Sequence, residues 1–449
     1  MATIRIVSDV DEARKTVLRR LPLDRVEVTP SVARRIKEVF GAELSPSEAV
    51  ARILEDVRLR GDAAVFEWTK RIDGVNLNSL EVPPEAVRES CQRVSSGLVE
   101  ALRVAAERIG DFHRRHVPRS WVDFSPSGAL GQLVVPLDRV GIYAPGGKAA
   151  YPSSVLMQVI PAKVAGVKEV IVASPPGRAG LPAPAVLAAC DIAGADRVFA
   201  IGGAQAVAAL AYGTETVPRV DKVLGPGNLF VALAKRQVFG TVAIDQVAGP
   251  TETVVIADET ARAETVAIDL LAQAEHDPLA SAILITTSAD LARQVDEELA
   301  RRLPGLPTGG VAAEALSRNG AIIVVESLEV AVDLANEYAP EHLCLETRDP
   351  WALVPLVKHA GGVFVGEESP EVMGDYIAGP SHVMPTGGTA RFSSPLNSAD
   401  FVKVSSLVGL SRREFERLAD PAAVIADSEG LAAHAEAIRI RLERTNGGI

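Results

Sequence analysis

Short apolar runs alternate with longer helical stretches along most of this chain. Three runs, RVGIYAP from Arg139, KEVIVAS from Lys168 and DRVFAIG from Asp196, read as strands, each followed by an alanine-rich helical segment. After Pro250 the pattern returns in TVVIAD, SAILITTS, AIIVVE, HLCLE and GGVFVG, again separated by helices. Strands alternating with helices at this spacing form βαβ units and a parallel sheet. The chain therefore reads as α/β, with one parallel-sheet domain over residues 140–250 and a discontinuous one over 41–139 plus 251–391. Residues 1–40 are charged and weakly patterned, and read as an N-terminal arm. Beyond about Phe392 the strand runs stop, so residues 392–449 read as a helical C-terminal tail. Such a tail has little core of its own and suits docking on another surface, such as a second subunit.

Two helices are expected ahead of the first sheet. Ser45 caps one of them, Pro46 suits its first turn, and Glu48 completes a capping box. Val50, Ile53, Leu54 and Val57 give it one buried face, and Gly61 stops it. The other is expected from about Pro84 to Ile109. Both are assigned to the domain that contains residues 251–391.

Length and charge narrow the function classes. At 449 residues the chain is too long for one ordinary core. A net charge of -12 argues against nucleic acid or an anionic membrane as a partner. No apolar run approaches the roughly 20 residues that span a bilayer, and the acidic start MATIRIVSDVDEARK is not a signal peptide. Cys91, Cys190 and Cys344 are widely spaced, which fits a reducing cytoplasm and no disulfide framework. Cys344, inside HLCLE, reads as a buried structural thiol.

The chain has seven histidines, and several stand beside carboxylates, amides and glycines. Gln273 and His276 are three apart at the expected end of a helix, so they share one face. Such a pair can bind a metal, or the histidine can simply cap the helix carbonyls. Glu341 and His342 follow Pro340, which ends a helix and puts the pair at the start of a strand. Together they can divide two proton tasks, or they can be a surface acid beside a structural histidine. The stretch GDYIAGPSHVMPTGG, from Gly374 to Gly388, suits a shaped loop close to a ligand, with Asp375 and His382 as its chemical groups. Glu429 and His434 are five apart, not on one helical face, and read in isolation as exposed. His113, His116 and His359 fall outside every such segment.

No G-x-G-x-x-G is present. Three other glycine turns follow strands or open helices: Tyr143-Ala144-Pro145-Gly146-Gly147, Gly202-Gly203-Ala204-Gln205 and Gly225-Pro226-Gly227-Asn228. Backbone N–H groups at such helix starts bind phosphates, so three in one domain point to a dinucleotide or phosphate ligand.

Taken together, VGIYAPGG, IDQVAGPTE, LLAQAEHD, YAPEHL, GDYIAGPSHVMPTGG and EGLAAH occur in an order that resembles the histidinol dehydrogenase family over nearly the whole chain. The resemblance implies two incomplete Rossmann-like domains of the aldehyde-dehydrogenase-like kind. It also implies a homodimer in which the tail helps complete the partner's site. By position, Gln273, His276, Asp375 and His434 match zinc ligands, His342 the general base and Glu341 the group that activates water. Thr251, His382 and Glu429 match substrate contacts, so that the substrate site as a whole takes in Thr251, Gln273, His276, His342, Asp375, His382, Glu429 and His434. Tyr143, Gln205 and Asn228 match NAD contacts. Thr251 is the one departure, since some members carry Ser there; both are hydroxyl donors.

The implied activity is a cytoplasmic, NAD-dependent, four-electron oxidation of L-histidinol to L-histidine through L-histidinal. One Zn2+ per subunit would hold the neutral imidazole and amine of the substrate. The main alternative is a paralogue of the same fold oxidising another amino or sulfo alcohol. A zinc hydrolase and a non-catalytic NAD-sensing protein are further readings, which the nucleotide turns and the Glu341-His342 pair disfavour in turn.

Overall fold

The structure, a computed structural model, describes residues 4–20, 30–146 and 150–443. Of the segments anticipated above, residues 1–3 and 21–29 of the arm, Gly147 of the first glycine turn and residues 444–449 of the tail lie outside the described residues.

In chain order the strands are β1 (Arg5–Val7), β2 (Trp121–Ser125), β3 (Gly128–Pro136), β4 (Arg139–Tyr143), β5 (Glu169–Ser174), β6 (Arg197–Ala200), β7 (Lys222–Leu224) and β8 (Ala243–Ile244). They continue with β9 (Glu252–Ala257), β10 (Ser281–Thr286), β11 (Ala321–Val324), β12 (His342–Glu346), β13 (Gly362–Val365) and β14 (Val402–Leu410). All eight apolar runs are strands. The chain forms two compact units, Met1–His116 with Leu137–Phe401, and Val117–Pro136 with Val402–Ile449.

The larger unit carries two parallel sheets, in the orders β6-β5-β4-β7-β8 and β1-β11-β10-β9-β12-β13. In each, the chain runs outward through three strands and then returns to the other side of the first. The reversal falls between β4 and β7 in one sheet, and between β9 and β12 in the other. Open α/β sheets bind ligands at such a reversal, outside the carboxyl ends of the strands.

The helix Pro46–Arg60 forms as expected, with Ser45 Oγ accepting from Glu48 N–H at 3.2 Å and Glu48 Oε2 accepting from Ser45 N–H at 2.8 Å. Its packing differs from the expectation. Val50, Ile53, Leu54 and Val57 join Val65 and Trp68 of the next helix, Asp62–Asp73, in a core with Ile171, Phe199 and Val223 of the five-stranded sheet. These helices therefore cover the 139–244 sheet, not the one built from residues 252–365. The chain that follows them decides this: Val82 N–H donates to Val198 O and Ala200 N–H to Leu80 O, stapling residues 80–82 along the free edge of β6.

Three further expectations change. The arm contributes β1, a three-residue strand paired in parallel with β11. The helix expected over residues 84–109 is broken into Pro84–Arg88, a tight turn Glu89–Arg93 and the helix Ser96–Arg114, because Ser95 Oγ caps a new start on Leu98 N–H at 3.2 Å. The tail does not abandon strands: β14 pairs antiparallel with β3, which pairs with β2. These three strands and the helices Arg412–Ser428 and Ala432–Glu443 make up the smaller unit. Its apolar positions are largely exposed, Phe124 at 80% and Val408 at 69%, so little contrast between faces marks β14 in the sequence.

Candidate active site

Two neighbouring parallel strands assemble the candidate catalytic residues. β9 and β12 pair with His342 opposite Thr253, so Thr251, Glu252, Glu341 and His342 meet at the amino ends of these strands. This is the opposite edge from the one where open α/β sheets usually hold ligands. The helix Leu328–Tyr338 ends in Ala339 at φ 52, the one positive-φ residue other than glycine among the described residues. Such a conformation costs energy and persists only where neighbours hold it. Arg20 is one holder: it donates to Tyr338 O at 2.7 Å and Ala339 O at 3.3 Å, stacks on the Tyr338 ring, and ion-pairs with Glu252. No motif in the sequence pointed to Arg20.

Glu341 is buried, not a surface acid. Its Oε2 accepts from Glu252 N–H at 3.1 Å and lies 2.6 Å from Thr251 Oγ1. Burial pushes its carboxyl up to about 7, against the lowering charge of His342 and the Thr251 hydrogen bond. His342 has Nδ1 at 3.2 Å from Glu252 O, and a carbonyl only accepts, so Nδ1 carries a hydrogen. Its Nε2 is buried without a hydrogen-bond partner and stands 3.7 Å from Asp375 Oδ1, an ion-pair distance too long for a hydrogen bond. Burial opposes the imidazolium, but the carboxylates of Glu341, Glu371 and Asp375 outweigh it and push His342 up to about 10. In this state His342 is charged at neutral pH. It works as a base only once some of that negative charge is offset.

Glu371 was not anticipated. At 1% exposed it is the most deeply buried acid of the cluster, and it takes hydrogen bonds from the Thr253 hydroxyl and, at 3.8 Å, the Cys344 thiol. The amide of Gln273 is satisfied when its nitrogen donates to Glu371 Oε1 at 3.1 Å and its oxygen accepts from Glu252 N–H and the Thr251 hydroxyl, each at 2.7 Å. Cys344 is buried as expected, and its thiol is pushed well up, which leaves it inert as a nucleophile.

Gln273 and His276 do not share a helical face. The helix Ala263–Ala274 ends first, leaving Gln273 buried and His276 exposed just beyond it. Asp375, on the short helix Glu371–Tyr376, would be raised by burial, yet contact and charge from His342, with His382 and His276, hold it below the usual carboxylate range. His382 Nδ1 donates to Asp375 O at 2.8 Å, so its Nε2 accepts from the Ser154 hydroxyl at 3.2 Å, and burial keeps the ring neutral. Glu429 ends the helix Arg412–Ser428, and His434 lies on Ala432–Glu443. Both are exposed and belong to the smaller unit.

Among the described residues, no three His, Cys, Asp or Glu side chains converge on a metal position. The anticipated zinc set includes an amide and a residue of the smaller unit, so it is not such a cluster. Its chemistry nonetheless fits: an ionised Asp375, two imidazoles and an amide oxygen are ligands a divalent cation of zinc's type accepts.

The residues expected to contact a nucleotide sit at the carboxyl ends of the five-stranded sheet. Tyr143 ends β4, and its hydroxyl accepts from Gly203 N–H at 3.2 Å, at the start of the helix Gly203–Tyr212. Gln205, on that helix, is fully buried, and its Oε1 has no hydrogen-bond partner. Asn228 caps the helix Leu229–Val238 through Phe230 and Val231 N–H groups at 3.0 and 3.2 Å. Gly225, at φ +120, is pinned between Asp245, which accepts from its N–H at 2.7 Å, and Lys235, which donates to its carbonyl at 2.8 Å. A Cβ there would lie 2.2 Å from Tyr143 O. An orphaned buried acceptor and turns that exclude a Cβ fit a dinucleotide lying close to the backbone.

A family model described as histidinol dehydrogenase matches residues 41–442. The chain is 49% identical over 434 residues to a histidinol dehydrogenase of Deinococcus radiodurans, covering 96% of this chain and 98% of that one. A second, from Geobacillus kaustophilus, is 51% identical over 425 residues, covering 94% of this chain and all of the relative. The crystal structure of histidinol dehydrogenase from Elizabethkingia anophelis superposes with a TM-score of 0.91 at 31% identity, over the full length of both chains.

Proposed function

The chain belongs to the histidinol dehydrogenase family, and from that premise we propose how its residues divide the work. As a member it oxidises histidinol in histidine biosynthesis. The full reaction we assign is a four-electron oxidation of L-histidinol to L-histidine through bound L-histidinal, with two NAD consumed in succession. The observation that carries the assignment is the buried His342, whose Nδ1 is committed to Glu252 O while Nε2 has no hydrogen-bond partner. That nitrogen takes the alcohol proton as the first hydride leaves. Glu341, next to it in the chain, then activates water on the aldehyde, and the hydrate gives up the second hydride.

Gln273, His276, Asp375 and His434 hold zinc in this reading, and Thr251, His382 and Glu429 contact the substrate. When bound, zinc supplies positive charge that orients the substrate's imidazole and amine and offsets the carboxylates that keep His342 protonated. Tyr143, Gln205 and Asn228 hold NAD. The exposed apolar positions of the smaller unit support a homodimer in which the tail brings Glu429 and His434 to the partner's site. The three free cysteines and the net charge of -12 support a cytoplasmic enzyme with no nucleic-acid or membrane partner. Among the described residues, no helix is long and apolar enough to cross a membrane.

The test is NADH formation on adding L-histidinol to purified protein, compared with a panel of other amino and sulfo alcohols. Two NADH per L-histidine are expected. Faster turnover of another alcohol would replace the substrate assignment.

A further inference from the structure

We propose that Asp73 selects the dinucleotide, its carboxylate accepting hydrogen bonds from the adenosine ribose diol and excluding a 2′-phosphate. The proposal rests on the reading above that Tyr143 and Gln205 hold NAD. In Rossmann-type sheets a carboxylate at the ribose distinguishes NAD from its 2′-phosphorylated form, and it ordinarily stands at the end of the second strand. Here the second strand, β5, is followed by Pro175, Pro176 and Gly177, with no carboxylate. Asp73 comes instead from outside the sheet, at the end of the helix Asp62–Asp73, just before Gly74 turns the chain at φ 71.

Gln205 Nε2 donates to Asp73 Oδ2 at 3.3 Å, which leaves Gln205 Oε1 buried and without a partner. Asp73 also lies within electrostatic reach of the Tyr143 phenol. A ribose diol brings two O–H donors, and the site offers two acceptors, the Asp73 carboxylate and Gln205 Oε1. Gly203, at φ +61, would place a Cβ 2.7 Å from that Oε1, so a side chain there would crowd the acceptor. A 2′-phosphate would bring charge of the same sign and acceptors where donors are needed. Arg35, the nearby cation, is exposed, paired with Glu38 at 3.5 Å and donating to Ile72 O at 3.1 Å.

The geometry also says which ribose. Asp73 stands by the β6 side of the sheet, whereas the chain leaves β8 on the other side through Gln246 to reach Thr251 and Glu341. The nicotinamide end must face that catalytic cluster, so the adenosine end lies by Asp73.

The experiment titrates purified full-length protein with NAD, NADP and an NAD analogue lacking the adenosine 2′-hydroxyl, reading binding constants by calorimetry. Wild-type protein is expected to bind NAD about 10- to 100-fold tighter than either of the others, the range of a hydrogen bond to a charged group. Asp73→Asn should weaken NAD and narrow its margin over NADP, raising KM for NAD more than it lowers kcat. If wild-type protein binds NADP as well as NAD, or if folded Asp73→Asn keeps the wild-type margin, the proposal is overturned. Gln205→Ala separates the two readings. Loss of NAD binding there, with Asp73→Asn unchanged, removes Asp73 alone; no loss in either variant removes the nucleotide site itself. Where Asp73→Asn does not fold, Asp73→Ser carries the same test: a folded variant that keeps the wild-type margin of NAD over NADP overturns the proposal.

Discussion

Thr251 Oγ1 lies 2.6 Å from Glu341 Oε2, and the same hydroxyl lies 2.7 Å from the Gln273 amide. A threonine hydroxyl has one hydrogen, so it donates to only one of them at a time. With the Gln273 oxygen turned toward Thr251 and its nitrogen toward Glu371, that hydrogen goes to Gln273. The 2.6 Å contact then needs a hydrogen from Glu341, which a carboxyl pushed up to about 7 by burial can supply. When Glu341 ionises, Thr251 must turn to it and release Gln273. Thr251 therefore couples the carboxyl assigned to water activation to an amide assigned to the metal.

Thr251→Val removes this coupling at nearly constant volume and leaves a buried carboxyl short of one partner. The aldehyde step should slow by about 10-fold or more, the scale of one hydrogen bond to a charged group, while Thr251→Ser should keep most of the rate. Supplying L-histidinal directly and following NADH isolates that step. A Val variant with wild-type aldehyde turnover would remove the coupling role.

Glu341→Gln and His342→Asn should divide the reaction. The first should harm the aldehyde step far more than the alcohol step. The second should abolish both while metal content, measured by atomic emission, stays at the wild-type level. Equal losses in both steps for Glu341→Gln would refute the division of labour.

His113 is fully buried on the helix Ser96–Arg114 with neither ring nitrogen hydrogen-bonded, and burial pushes its pKa down to about 4. The folded value lies below the unfolded one near 6.5, so between them the unfolded chain binds the extra proton. The stabilising contribution is complete above about pH 6.5 and is lost as pH falls toward 4, at most about 3 kcal/mol. Thermal melts at neutral and at acidic pH should show wild-type protein losing more stability than His113→Leu. Parallel losses in the two proteins would exclude His113 as the source.

Mixing inactive His434→Ala subunits with inactive His342→Asn subunits should restore part of the activity if each tail serves the partner's site. Confirmed mixed dimers without activity would place the tail in its own subunit's site.

Much of the architecture is legible in local pattern. Each apolar run of β4 to β6 and β9 to β12 could be read because a strand buried on both faces is a short, nearly continuous apolar segment; β13, at the sheet edge, is less buried but keeps the same apolar run. The capping box at Ser45 and Glu48 needs only three residues of spacing. β7, β8 and β1 are two or three residues long and β14 is exposed, so none makes a comparable signal. Among the site residues, Glu341, His342 and Asp375 stand in quotable motifs. Glu371, Arg20 and Asp73 do not, because each arrives from an element whose position depends on packing elsewhere.

By itself the sequence determined the α/β alternation, the strands of both sheets' centres and the family, and it singled out the Glu341-His342 pair, since these rest on local periodicity and on residues close together in the chain. Tertiary structure alone decided which sheet the helices of residues 46–73 cover, and that Gln273 is buried while His276 is not. It also decided that Glu341, Glu371 and His342 share one buried cluster. The physical reason is the parallel register of β9 with β12. It sets residues some 90 positions apart side by side, and the burial that follows shifts their proton affinities in a way no spacing rule contains.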